Sequence, residues 1–162
     1  MNNPIGIKGL YPNIIEWMRK YLKPKYKGAI IEVYDSHSIY LSKLLQRKKL
    51  HTNFKDFDTY AIKVDLTAII TDKNKTELAF VEVKSTPITL KDVGQLLGYC
   101  RIADPLEAFL ISPKGMSTAL HNLLIKYGKI DILGFNNKTI KIARWNIDNN
   151  DIDYSSIIPR GK

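Results

Sequence analysis

One cysteine in 162 residues, Cys100, leaves this chain without an internal disulfide and without a thiolate metal cluster; its place on an apolar helix face suits packing. The three histidines, His37, His51 and His121, include no pair at the spacing of a zinc site and read as surface or cap residues. No glycine-rich phosphate loop is present, which excludes a self-contained ATP-driven motor. No apolar run approaches a membrane span, and the opening Met1-Asn2-Asn3-Pro4-Ile5-Gly6 does not read as a signal peptide. An intracellular, cytoplasmic chain with no membrane partner is therefore expected. Internal repeats and low-complexity tracts are also lacking.

Acidic residues are the scarcest class relative to their counterpart: 16 Asp and Glu stand against 25 Lys and Arg, giving a net charge of +9. Such an excess points to a polyanionic partner. It is unevenly distributed, since residues 1–60 hold eleven Lys or Arg against five Asp or Glu. Lys20, Lys23, Lys25 and Lys27 form one basic cluster, interleaved with Tyr21 and Tyr26, and Lys43, Arg47, Lys48 and Lys49 form another. With 44% hydrophobic and 25% charged residues, the chain has the composition of one globular domain spanning 1–162. Its core is expected over about 11–145, with a polar, loosely packed tail over 146–162.

Within that composition three short stretches carry chemistry. Residues 60–70 read as a strand rich in β-branched and aromatic residues, with Asp65 in its middle between Val64 and Leu66. Residues 78–84 read as a second strand, and the polar residues 71–76 as the hairpin turn between them. Alternation puts Glu82 and Lys84 on one face and Val81 and Val83 on the other. A carboxylate half-buried in a strand must be paired, protonated or bound to a metal. Asp65 and Glu82 offer the hard oxygen ligands that Mg²⁺ prefers, the Val83 carbonyl a further oxygen, and Lys84 a cation beside them. The alternative is a cross-strand acid–lysine pair on a wet sheet face.

Asp65, the Glu82-x-Lys84 pair and the hairpin that joins them resemble the signature of the PD-(D/E)XK nuclease superfamily, which includes restriction enzymes, archaeal Holliday-junction resolvases and RecB-like nucleases. The resemblance covers roughly residues 60–100; the family's proline before the first acid is Val64 here, a departure at the turn and not at a ligand. It implies a restriction-endonuclease-like fold and a Mg²⁺-dependent DNA phosphodiesterase, an endonuclease of repair, recombination or restriction, with Mn²⁺ as substitute metal. Residues 89–103 read as a helix with Val93, Leu96, Leu97 and Cys100 inward. On another face Gln95 and Tyr99, at i and i+4, resemble the Gln-x-x-x-Tyr of RecB-like nucleases, implying support of catalysis by Gln95 and nucleic-acid contact by Tyr99. Residues 12–22 read as a first helix, where many family members carry a glutamate that reaches the metal. Glu16 fits that role and fits equally a solvated residue paired with Lys20; Glu32 is a poorer substitute.

The remaining pattern gives strands at 29–34, 107–112, 130–134 and 139–145 and helices at 35–50 and 113–127. Together they predict a three-layer α/β/α sandwich around a central mixed sheet. The 35–50 helix, apolar at Ile39, Leu41, Leu44 and Leu45, is additional to the family's minimal pattern and suits recognition or homodimer formation. Lys43, Arg47, Lys48, Lys49, Lys23 and Lys25 are the expected DNA phosphate contacts. A catalytically silent DNA-binding or assembly module that kept the fold is the rival from another class.

Overall fold

The computed structural model describes residues 6–73 and 75–161; Asn74, within the expected hairpin turn, and nearly all of the N-terminal segment examined for a signal lie outside them. In chain order the elements are α1 (Ile7–Lys25), β1 (Ile30–Asp35), α2 (Leu41–Arg47), β2 (Leu66–Asp72), β3 (Lys75–Val83), α3 (Leu90–Ala103), β4 (Glu107–Ser112), α4 (Thr118–His121), β5 (Gly134–Phe135), β6 (Lys138–Thr139), β7 (Lys141–Asn146) and β8 (Asp151–Ile158). Six strands form one mixed sheet in the order β1-β2-β3-β4-β7-β8. The β1–β2–β3 meander and the β7–β8 pair are antiparallel, whereas β3–β4 and β4–β7 are parallel.

Burial explains the layering. Alternate residues of β3 enter two separate cores: Ala79, Val81 and Val83 pack with Leu10, Ile14, Trp17 and Met18 of α1. Leu78 and Phe80 pack on the opposite face with Leu44 and Leu45 of α2 and Val93, Leu96 and Cys100 of α3. Helices thus cover both faces of an α/β sheet, compatible with a three-layer sandwich. Central β4 is buried along its whole length and reads as the near-continuous apolar run expected of a strand covered on both sides. Among the described residues no helix is long and apolar enough to cross a membrane.

Several elements differ from the sequence reading. Of the expected 35–50 helix only Leu41–Arg47 is α-helical, because Asp35 completes β1; the 113–127 helix begins only at Thr118; and the strands extend into the 71–76 turn, to Asp72 and from Lys75. Helix α1 begins at Ile7, not Pro12, because Leu10 and Tyr11 extend its buried stripe and an interior proline removes only one backbone donor. Residues 60–64 are not a strand: Tyr60, Ile62 and Val64 are buried in alternation, yet the Tyr60 and Ile62 carbonyls accept from the Ser42 and Leu41 N–H groups at the start of α2. The alternation is real and its partner is a helix end. Residues 130–133 form a 3-10 turn anchored by Leu133. The expected loose tail instead supplies β8, held by buried Ile152 and Ile158; its polar remainder is the composition of a sheet edge.

Candidate active site

Strand pairing brings the two acids together at one end of the sheet. Leu66 lies opposite Val81, so the residue before β2 meets the residues after Val81. The Asp65 N–H donates to Glu82 Oε1 at 2.9 Å, and Asp65 Oδ2 accepts from the Val83 N–H at 2.8 Å. Each carboxylate therefore spends one oxygen on the other's stretch of backbone. Asp65 sits in a bend just before the strand rather than in its middle, free of ladder pairing. Ser36, the residue after β1, fixes this bend: its N–H donates to the Asp65 carbonyl at 2.9 Å and its hydroxyl to the Val64 carbonyl at 2.5 Å.

Glu82 is only 5% exposed. Burial first, and the Asp65 charge second, push its carboxyl up to about 7 from an ordinary 4.5. Lys84 stands on the same sheet face, its Nζ 3.9 Å from Glu82 Oε2 and 3.6 Å from Asp92 Oδ1. Asp92 belongs to the first turn of α3, where its carboxylate also accepts from the Thr89 N–H at 2.9 Å, closing the helix N-terminus. One aspartate thus ties the helix start to the lysine, a function the sequence did not disclose. Gln95 and Tyr99 follow on the same stripe at i+3 and i+7 from Asp92. Gln95 is exposed and gives its Nε2 to the Tyr99 hydroxyl at 2.9 Å, so its amide is spent on tyrosine rather than on the carboxylates.

From the other face comes Tyr11 of α1, which the sequence reading left outside the first helix. Its buried hydroxyl faces Asp65, and burial together with the Asp65, Asp35 and Glu82 charges holds the phenol well above its usual range. The Tyr11 ring packs on His37 with centroids 5.8 Å apart. His37 Nδ1 lies 2.5 Å from Asp35 Oδ1, making this histidine a neighbour of the acids rather than a bare surface residue. Only folding reveals that neighbourhood; the Asp35-Ser36-His37 string has no spacing that announces it.

Glu16 is turned away. It stands five residues past Tyr11, about 140° round an ideal helix, and pairs with Arg19 at 3.2 Å, not with Lys20. It lines a cleft of about 390 Å³ with Trp17, Asn150 and Tyr154. Glu32 is also exposed and accepts from Tyr34. Of the basic residues, Lys43, Arg47, Lys48 and Lys49 are all exposed on α2 and its end, and the start of α2 is tied by the Leu41 N–H to the Ile62 carbonyl, three residues before Asp65. Lys48 rests on the Tyr34 ring at 4.3 Å. Lys23 and Lys25 end α1 at the opposite end of the sheet. There Lys25 binds Glu107 at 3.0 Å, within a knot that includes buried Lys141 and the Tyr21 and Tyr26 hydroxyls. Burial would raise that carboxyl, but Lys25, Lys141 and the Tyr26 hydroxyl hold it below its ordinary value.

Among the described residues no three His, Cys, Asp or Glu side chains converge on one point. The pair at Asp65 and Glu82 nonetheless fits Mg²⁺, which commonly takes one or two protein carboxylates and keeps waters or phosphate oxygens for the rest. Buried Glu82 and half-buried Asp65, with one ammonium nearby, are short of positive charge, and a hard divalent cation is the chemistry that supplies it. No family model, curated protein or solved structure matches the chain.

Proposed function

We propose that this protein is a metal-dependent DNA nuclease of the PD-(D/E)XK type, an endonuclease on a restriction-endonuclease-like fold. The observation that carries the reading is the reciprocal Asp65–Glu82 clasp with Lys84 Nζ 3.9 Å from Glu82. Asp65, Glu82 and the Val83 carbonyl would hold Mg²⁺ or Mn²⁺. The bound ion would supply Lewis acidity at a phosphoryl oxygen and a more acidic water. Lys84 holds the attacking water and neutralises charge that builds on the phosphate, and Asp92 keeps the lysine aimed. The exposed Lys43, Arg47, Lys48 and Lys49 draw in the phosphate backbone without reading sequence. Tyr99, with Gln95 bonded to its hydroxyl, offers a further contact along α3.

A panel of linear duplex, single-stranded, flap and four-way-junction DNAs, incubated with Mg²⁺ or Mn²⁺, tests the reading. Cleavage that disappears with chelator and in Asp65→Ala supports it. Tight DNA binding with no cleavage of any substrate would instead identify a silent binding module.

A further inference from the structure

We propose that His37, oriented by Asp35 and packed on Tyr11, is the general acid that protonates the leaving oxygen of the scissile phosphodiester. This rests on the nuclease reading and adds to it a residue that reading does not use.

Three relationships carry the inference. Asp35 Oδ1 lies 2.5 Å from His37 Nδ1 and 3.2 Å from the His37 backbone nitrogen, so one carboxylate fixes both the ring and the backbone beneath it. An imidazole whose Nδ1–H is given to a carboxylate presents Nε2 outward, the arrangement that sets a histidine's tautomer for proton transfer. Tyr11 then links this dyad to the acids, its ring 5.8 Å from the His37 ring and its hydroxyl facing Asp65. Finally, His37 meets Tyr11 on the α1 face of the sheet, while Lys84 meets Asp92 of α3 on the other. Asp65 joins the two sides, since the Tyr11 hydroxyl faces its carboxylate and its N–H donates to Glu82 beside Lys84.

That opposition matters because phosphoryl transfer needs the attacking and leaving oxygens roughly in line on opposite sides of phosphorus. With Lys84 on the water side, the leaving side falls to His37. As the water oxygen bonds to phosphorus, the bond from phosphorus to the leaving oxygen breaks and its electron pair stays on that oxygen. The Nε2 proton of the His37 imidazolium moves onto it, releasing an alcohol and neutral imidazole. The proton shed by the water goes to solvent, which reprotonates His37 for the next turnover.

A bridging phosphorothiolate separates this role from a structural one, since a sulfur leaving group departs without a proton. The sulfur is put at the bridging position that wild-type products identify as leaving, and both linkages are cut under single turnover with Mn²⁺. His37→Gln should slow the oxygen linkage by roughly 10²–10⁴-fold, the range of general acid catalysis, and cut the sulfur linkage at the wild-type rate. Asp35→Asn should show a smaller loss on oxygen and none on sulfur. Independently of activity, nitrogen-15 spectra of the free protein should show neutral His37 protonated on Nδ1, with the proton redistributed toward Nε2 in Asp35→Asn. Equal loss on both linkages, no loss on either, or a wild-type Nε2–H tautomer overturns the general acid and leaves the nuclease reading standing. A wild type that cuts neither linkage overturns both.

Discussion

Asp65 and Glu82 hold each other through the main chain: the Asp65 N–H donates to the Glu82 carboxylate, and the Asp65 carboxylate accepts from the N–H of the residue after Glu82. Neither side chain can be removed without loosening the other. Asp65→Ala and Glu82→Ala should each abolish metal-dependent cleavage while DNA affinity survives, because the basic residues on α2 are untouched. Calorimetric Mg²⁺ titration alongside a cleavage assay checks this. Wild-type rates at limiting Mg²⁺ in either variant would remove these acids from the chemistry.

Stability should depend on pH through Glu82 in a direction opposite to that of an ion-paired acid. Its folded-state value, pushed up to about 7, exceeds the ordinary 4.5. The fold therefore binds more protons between those values, so this contribution is complete below the unfolded value and is lost as pH rises through the folded one. Glu82→Gln stays neutral and keeps an oxygen for the Asp65 N–H. Its melting temperature should exceed that of wild type near about pH 8 and converge with it near about pH 5. Saturating Mg²⁺ should narrow the gap at the higher pH by binding only the wild-type fold well. A difference that is flat across this window would show that Glu82 ionises without cost.

Lys84→Ala should leave Mg²⁺ affinity nearly intact and cut single-turnover rate by roughly 10²-fold or more, the scale of one well-placed electrostatic donor. Lys84→Arg should not fully restore it, since the guanidinium is wider and never deprotonates. Asp92→Asn should give a milder rate loss together with destabilisation of about 1 kcal/mol from the weakened helix cap. Near-wild-type turnover in Lys84→Ala would reduce the lysine to a surface partner of two acids.

Replacing Lys43, Arg47, Lys48 and Lys49 together by glutamine should weaken binding to all DNA sequences alike. The slope of log affinity against log salt should fall by about one unit per lost phosphate contact. Lys23→Gln with Lys25→Gln, at the far end of the sheet, should leave the slope unchanged. Salt titrations of both variants on one duplex make the comparison, and equal slope changes would place the DNA path along α1 instead.

Lys141, buried beside Glu107, offers a purely structural test. Lys141→Met leaves that carboxylate with Lys25 and two phenols, so the cost should fall at or below the low end of the roughly 3–5 kcal/mol typical of a broken buried pair. Denaturant unfolding measures it, and an unchanged midpoint would mean that Lys25 suffices.

Glu82, Val83 and Lys84 were legible in the sequence because charges interrupting an apolar run can be assigned a face by parity alone. Asp65 was legible as a residue but not as a position: alternating burial at Tyr60, Ile62 and Val64 mimics a strand although the backbone bonds to a helix end. Tyr11 and His37 were hidden for different reasons. Tyr11 lay before the expected helix start at Pro12, so nothing marked it as facing inward, and a histidine two residues from an aspartate gains meaning only when another element packs on it. Gln95 and Tyr99 are neighbours on one helix face as their spacing predicts, and the Gln95 amide nitrogen donates to the Tyr99 hydroxyl. Strand β8 escaped because an edge needs few buried side chains, and Ile152 with the adjacent Ile157 and Ile158 shows no alternating pattern.

Tyr11, His37, Asp65 and Lys84 arrive at one end of the sheet from α1, the turn after β1, the bend before β2 and the end of β3; the Lys84 N–H is in turn held by the Ile111 carbonyl of β4. Every one of these meetings is non-local, so the site is among the last features to form as the chain folds. If the proposed nuclease activity holds, a nascent or partly unfolded chain would carry the charges to adhere to nucleic acid before it has the geometry to cut it. On the nuclease reading, the capacity to damage DNA would be withheld until folding is complete.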